Sequence, residues 1–301
     1  MKIKLYLEEL RAPFFTASII PVILGTLIAW HITGTINWTY FILTLIGGIL
    51  LHAGTNVAND YFDHKSGNDE ANTEYIRPFT GGSRLIQKKL LTPKEVLSES
   101  LICFALGSLI GLYLYSQLGV FILVLGLIGI ISGFFYCAPP FKWVHRGIGE
   151  LIVGLNFGTL MCLGAYYVQT QTISIVPVIA SLPVALLIAL VLYINEFPDY
   201  NADKSVGKNH LVIRFGKEKA VTGYIIAMVM VYVIIIAGVL SGAIPILGLS
   251  ALLTLTLAIK AMKTLKENFA GPSLKLLPAN ALTVQLHLLI GLLLSISYFI
   301  R

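Results

Sequence analysis

The stretch NDYFDHKSGND, residues 59–69, follows a run without Asp, Glu, Lys or Arg that begins at residue 12. Asp60, Asp63 and Asp69 thus close a segment that otherwise reads as buried in a bilayer. Working outward, the charge-free stretches are 12–59, 100–141, 151–195, 220–259 and 276–300. A spanning helix takes about 20 apolar residues, so the first four stretches each hold two helices and the last holds one. The chain is 56% hydrophobic and 12% charged, against about 25% charged in soluble domains. The expectation is an all-α integral membrane protein, a single domain over 1–301, with nine transmembrane helices around an intramembrane chamber.

Breaks within the paired stretches carry turn chemistry: HITGTINW (31–38), SQLG (116–119), QTQT (169–172) and SGAIP (241–245). The first helix, expected over 13–32, is long for a cleavable signal and no small-residue cleavage pattern follows it. The N-terminus and the loops after even-numbered helices hold every Asp and Glu, and every Lys and Arg except Arg301. The opposite loops are uncharged. Lys/Arg bias marks the cytoplasmic side. The expected protein is therefore multi-pass in the cell membrane, with Asp-rich loops and the N-terminus in the cytoplasm and the C-terminus opposite. Topology accounts for the net charge of +6 and no nucleic-acid partner is needed. Nothing marks an obligate protein partner.

A second acidic stretch, NEFPDYNADKSVGKNHLVIRFG (195–216), follows the sixth expected helix. Asn59 and Asp63 are four apart, as are Asn195 and Asp199, and a further carboxylate follows in each case, Asp69 and Asp203. Residues four apart share a helix face, and the matched pattern reads as a weak internal duplication. Two such sets across a bundle surround one space with hard oxygen ligands, which suit Mg²⁺. Clustered carboxylates repel, and ionisable groups in membrane segments face an interior or a cavity. Ordinary solvated loop charge is the competing reading. The match in residue type and helix parity weighs against it.

Cations lie near both stretches. RPFTGGSRLIQKKLL (77–91) supplies Arg77 and Arg84 around glycines that admit close backbone approach to an anion. Lys88 and Lys89 read as topology determinants or headgroup contacts. FYCAPPFKWVHRGIGE (135–150) adds Tyr136, Lys142 and Arg146, and Lys204 and Lys208 flank the second stretch. Two readings of Arg11 stand, snorkelling to headgroups or reaching into the chamber. The three cysteines lack metal-site spacing and read as packing residues. Together these features suit an amphiphile with a diphosphate head and a long apolar tail, whose leaving diphosphate a metal and cations neutralise. No nucleophile–base arrangement is evident. An ion-coupled transporter is the rival class, but charges confined to one side weaken an alternating path.

On these residues the chain resembles the UbiA superfamily of intramembrane prenyltransferases, over almost its full length. Within it, N-D-Y-F-D-x-x-x-G-x-D at 59–69, GGSR at 81–84, GAYYVQT at 164–170 and residues 195–216 resemble the branch that prenylates 1,4-dihydroxy-2-naphthoate in menaquinone synthesis. The resemblance implies Mg²⁺-dependent transfer of a polyprenyl group from an allylic diphosphate to an aromatic acceptor. It places Asp63, Asp69, Asp199 and Asp203 on the metal, with Asn59 and Asn195 beside them. It sets Lys142, Arg84 and Lys208 on the diphosphate oxygens and Tyr136 near the allylic cation, while Arg11 and Arg77 stand beside them as further substrate-binding candidates. CAPP at 137–140 replaces an expected glycine-rich run, and Tyr136 and Lys142 are six apart rather than in a Y-x-x-x-K pattern. The acceptor therefore stays open at this point: naphthoate, 4-hydroxybenzoate, haem, a chlorophyll precursor or an isoprenoid glycerol phosphate.

Overall fold

The computed structural model describes residues 2–300, and no strand occurs among them. In chain order the helices are α1 (Lys2–Glu9), α2 (Thr16–Thr33), α3 (Trp38–Ser66), the single turn α4 (Asn68–Ala71), α5 (Pro93–Leu118) and α6 (Val120–Phe134). Next come α7 (Gly149–Gly154) and α8 (Met161–Thr170), joined by a π-helical segment at Leu155–Leu160. α9 (Val176–Ser205), α10 (Leu211–Phe215), α11 (Lys217–Leu240), α12 (Leu255–Asn268) and α13 (Leu277–Phe299) complete the chain. A 3₁₀ stretch, Ile246–Thr254, leads into α12.

Among the described residues, eight segments are long and apolar enough to cross a membrane. The expected fourth helix is α6, 15 residues long, which at about 1.5 Å per residue falls short of a bilayer core of about 30 Å. The expected breaks fall where the helices stop: after Thr33 at left-handed Gly34, after Leu118 at Gly119, after Thr170 at Gln171 and after Leu240. Local chemistry sets the starts. Asn37 caps α3 by accepting from the Tyr40 amide, and Thr92 with Glu95 forms a reciprocal capping box on α5, with Pro93 at the first position.

α9 is the most buried spanning helix and packs against α11, α13 and the α7–π segment. Leu24, Leu187, Phe197, Tyr224, Met228 and Leu286 meet in the main core. Lipid tails are as apolar as leucine, so close approach and polar pairs, rather than water exclusion, join such helices. A Cβ on Gly25 would lie 2.1 Å from the Cys162 carbonyl oxygen, and one on Gly158 2.4 Å from the Ala185 Cβ. The α2–α8 and π–α9 contacts therefore require glycine. Tyr224 with Thr283 (2.6 Å) and Tyr232 with Thr254 (2.9 Å) add buried hydroxyl pairs.

The two acidic stretches are not loops. α3 runs on through Asp63 to Ser66, and α9 through Asp199 and Asp203 to Ser205. Each carboxylate finds a partner on a facing element, so the helices continue past their apolar lengths. Only Asp69 leaves its helix: Gly67 adopts φ 78° and turns the chain into α4.

Candidate active site

The ends of α3, α4 and α9 enclose a polar cavity of about 630 Å³. Asn59, Asp63, Asn68, Asp69 and Asn72 line it from one side, and Asn195, Asp199 and Asp203 from the other, with Lys208 and Thr80–Gly82 closing it. Three contacts cross between the two sides. The side-chain amide of Asn68 donates to Asp203 Oδ1 at 2.7 Å, and that of Asn72 to Asp199 Oδ1 at 2.7 Å. Lys208 Nζ lies 2.7 Å from Asp63 Oδ1 and 3.3 Å from Asp203 Oδ1. Within α3, Asn59 donates to Asp63 Oδ2 at 3.0 Å, as the four-residue spacing predicts. Asn280 of α13 donates to Asn195 Oδ1 at 2.7 Å.

Negative charge exceeds the local cations. Burial, then the Asp63 and Asp60 charges, push the Asp69 carboxyl up to about 8 against the pull of Lys208 and Arg84. Burial lowers the pKa of Lys208, but the Asp203 and Asp63 carboxylates outweigh it and hold the ammonium charged. Burial also lowers His210, and Glu196 and Asp203 outweigh it, to about 10. The Asn68 Oδ1 is buried with no hydrogen-bond partner among the described residues. A hard-oxygen donor set with surplus negative charge and an orphaned carbonyl oxygen fits Mg²⁺.

The remaining expected residues divide. Tyr136 and Arg11 line the cavity, and Arg11 Nη1 stands 3.7 Å from Asp60 Oδ1. Arg84 is buried behind it, donating to the carbonyls of Asp69 and Asn72 and lying 4.1 Å over the Tyr75 ring. Arg77 is exposed and donates to the Ser83 carbonyl. Lys142 is exposed and outside the lining, because turns around Pro139 and Pro140 carry it away. Asp60 faces away too, accepting from the Ser83 amide at 2.6 Å, while Ser83 Oγ donates to buried Glu9 at 2.5 Å. Asn68, Asn72, Glu196 and His210 line the cavity although sequence reasoning passed over them. Asn68 and Asn72 are themselves four apart, a repeat of the very signal that found Asn59 and Asp63.

Two further cavities continue the polar one. A middle cavity of about 740 Å³ shares Arg11, Asn59, Leu192 and Asn195 with it, and adds His52, Asn56 and Phe157. An apolar cavity of about 1040 Å³ then runs between α3, α5, α6 and the α7–α8 segment. Tyr136 lines all three. Burial and nearby carboxylates raise its pKa well above the ordinary value, so it is a neutral phenol. Glycines Gly111, Gly126 and Gly129 on the apolar wall leave open space where side chains would stand.

An all-helical membrane bundle with an oxygen-rich acidic cavity opening into an apolar one defines a class of intramembrane enzymes that handle anionic amphiphiles. Residues 18–282 match the model of the UbiA prenyltransferase family, and the chain belongs to that family. It is a prenyltransferase. The chain is 27% identical to a 1,4-dihydroxy-2-naphthoate octaprenyltransferase from Bacillus subtilis, covering 96% of this chain and 90% of that protein. It is 28% identical to a 2-carboxy-1,4-naphthoquinone phytyltransferase from Synechocystis sp., covering 98% and 93%. A UbiA homolog from Archaeoglobus fulgidus, solved bound to DMAPP and Mg²⁺, shares the fold at a TM-score of 0.66 and 16% identity, over 96% of this chain and 98% of that one.

Proposed function

We propose that this protein transfers a polyprenyl group from an allylic polyprenyl diphosphate to 1,4-dihydroxy-2-naphthoate, with Mg²⁺ and with the site facing the cytoplasm. The observation that carries the reading is the continuity of polar, middle and apolar cavities through Tyr136. That shape matches a diphosphate head, a reacting carbon and a tail laid end to end. The naphthoate and naphthoquinone acceptors in the relatives' names support the acceptor. Their tails differ, octaprenyl and phytyl, so the names leave the donor length of this chain open.

Asp63, Asp69, Asp199 and Asp203 would hold Mg²⁺, with Asn59 and Asn195 beside them. Bound Mg²⁺ supplies the charge that makes diphosphate a good leaving group. Lys208 fixes Asp63 and Asp203 and adds a buried cation. Arg11, shared by the polar and middle cavities, faces anionic groups in either. The Tyr136 ring presents its π-face where the allylic carbon becomes cationic. The apolar wall excludes water, so the acceptor ring captures that cation. The C–O bond breaks with its electron pair leaving on diphosphate, and the ring forms the new C–C bond. Loss of the acceptor's carboxylate as CO₂ returns electrons to the ring and restores aromaticity. Arg84 and Arg77 hold the backbone around α4 and Ser83.

Purified protein with Mg²⁺ and geranylgeranyl diphosphate should release diphosphate only when the acceptor is added. A panel of aromatic acceptors read by mass spectrometry should return the prenylated, decarboxylated naphthoate. Prenylated 4-hydroxybenzoate in its place would overturn the acceptor assignment, and no product with any acceptor would overturn the transfer itself.

A further inference from the structure

Beside the polar cavity, Glu150, Glu196 and His210 face one another, and the chemistry above leaves all three unused. Glu150 is the second residue of α7, Glu196 follows Asn195 on α9, and His210 caps α10. None is more than 4% exposed, and their potential ligating atoms lie within 4.8 Å of one another. His210 Nδ1 stands 3.2 Å from Glu196 Oε2, and Nε2 stands 3.2 Å from Asp203 Oδ2. Glu150 Oε1 accepts from the Leu211 amide at 2.7 Å, next to His210 in sequence.

These contacts form a chain that ends on one oxygen. Asp203 Oδ1 already has Asn68 and Lys208, whereas its ion pair at Oδ2 is with His210. Without His210 the carboxylate is free to turn about its last torsion. On the far side of the imidazole, Nδ1 accepts from the Ile213 amide at 3.4 Å and lies in ion-pair range of Glu196, and Glu150 holds the backbone at Leu211. Carboxylates that ligate a metal are themselves held from behind by outer partners, and loss of such a partner typically costs about 10- to 100-fold in metal affinity. Glu150 Oε2, both Glu196 oxygens and His210 Nε2 form no hydrogen bond among the described residues, so His210 meets Glu196 and Asp203 as ion pairs at 3.2 Å. Deep burial of two carboxylates so placed is costly unless their charges are used.

We propose that Glu150, Glu196 and His210 are positioning residues, which aim the Asp203 carboxylate into the cavity and so set its affinity for divalent cations. The inference rests on the metal reading of that cavity.

Its test is Mn²⁺ binding followed by electron paramagnetic resonance, with inorganic diphosphate present and no turnover. His210→Ala should weaken binding by about 10- to 100-fold, beyond what any fall in melting temperature accounts for. His210→Gln should recover part of the loss, because its amide N–H can donate to Asp203. Glu196→Gln, nearly the same shape, should weaken binding in the same direction and carries the prediction if His210→Ala does not fold. Unchanged affinity in both His210→Ala and Glu196→Gln would overturn the inference alone. So would a loss that tracks the melting temperature and is not recovered by His210→Gln, since that is packing. One equivalent of zinc on the protein as purified, absent from Glu150→Gln, would make the triad a metal site instead and also overturn it. Wild-type protein that binds no Mn²⁺ would overturn the metal reading of the cavity and this inference with it.

Discussion

Residues 59–72 and 195–208 look like copies in sequence and act as opposites in space. Both begin with an Asn and an Asp one turn apart on a helix. In the first, left-handed Gly67 breaks the chain, so Asp69 reaches the cavity from a separate turn, α4. In the second, one unbroken helix carries Asp199 and Asp203 together. The first stretch gives amide donors, Asn68 and Asn72, to the carboxylates of the second. The second returns Lys208 to Asp63. A near-repeat of residues is thus a division of labour, and each half is complete only when the other is docked.

The sharpest way to break this comparison is to remove one carboxylate from each half. Asp63→Asn and Asp199→Asn should each lower kcat by about 1000-fold or more while the protein stays folded in the membrane. If both serve one metal and diphosphate assembly, the double variant should be no worse than either single one. Product formation assayed at saturating Mg²⁺ decides it. Multiplying losses would mean two independent sites.

A smaller effect tests the crossing bonds. Asn68→Ala and Asn72→Ala remove donors to Asp203 and Asp199, and should raise the Mg²⁺ concentration for half-maximal rate by about 10- to 100-fold. Excess Mg²⁺ should restore most of kcat. A loss that Mg²⁺ cannot restore would show that these amides contact the substrate instead.

Acidity gives a third test. Asp69, pushed up to about 8, is protonated at neutral pH before metal arrives, and binding must expel that proton. The Mg²⁺ requirement should therefore fall as pH rises from 6 towards 8, by at most about tenfold per unit for one proton, and level off above 8. Asp69→Asn should flatten this slope. The sign for stability is opposite. A carboxyl whose folded pKa is raised binds its proton more tightly folded than unfolded. The metal-free protein should lose stability as pH rises from the ordinary carboxylate range to about 8, and a melting series without Mg²⁺ checks this.

What the sequence discloses follows from the range of each interaction. Helices and their breaks are local, so charge-free runs and turn residues locate them, and Asn59 with Asp63 is legible because four residues make one turn. α6 is shorter than the charge-free run suggests, because the run 100–141 continues beyond its end into the turns around Pro139. Arg84 beside its glycines and Lys142 after the fourth expected helix carry the right charge, yet charge does not tell which way a side chain points. Arg84 turns back onto the carbonyls of Asp69 and Asn72. Glu150 and His210 are 60 positions apart, and no local pattern joins them. Their meeting is a consequence of how α7 packs on α9.

The smallest expected effect concerns the cations and asks which half supplies them. Lys208, from the second stretch, is buried against two carboxylates. Lys142 and Arg77, outside both acidic stretches, are exposed and do not line the cavity. Exposed charges are screened by salt within about 8–10 Å, and surface ion pairs contribute about 0–1 kcal/mol. Lys142→Ala and Arg77→Ala should therefore change kcat/KM for the prenyl diphosphate by no more than about threefold, given those small surface energies, whereas Lys208→Met should approach the loss expected for Asp63→Asn. Measuring the three side by side with one donor makes the contrast direct. A tenfold loss in Lys142→Ala would mean that the 135–150 segment closes over the diphosphate when substrate binds. The cationic role would then belong to both sides of the cavity rather than to the second stretch.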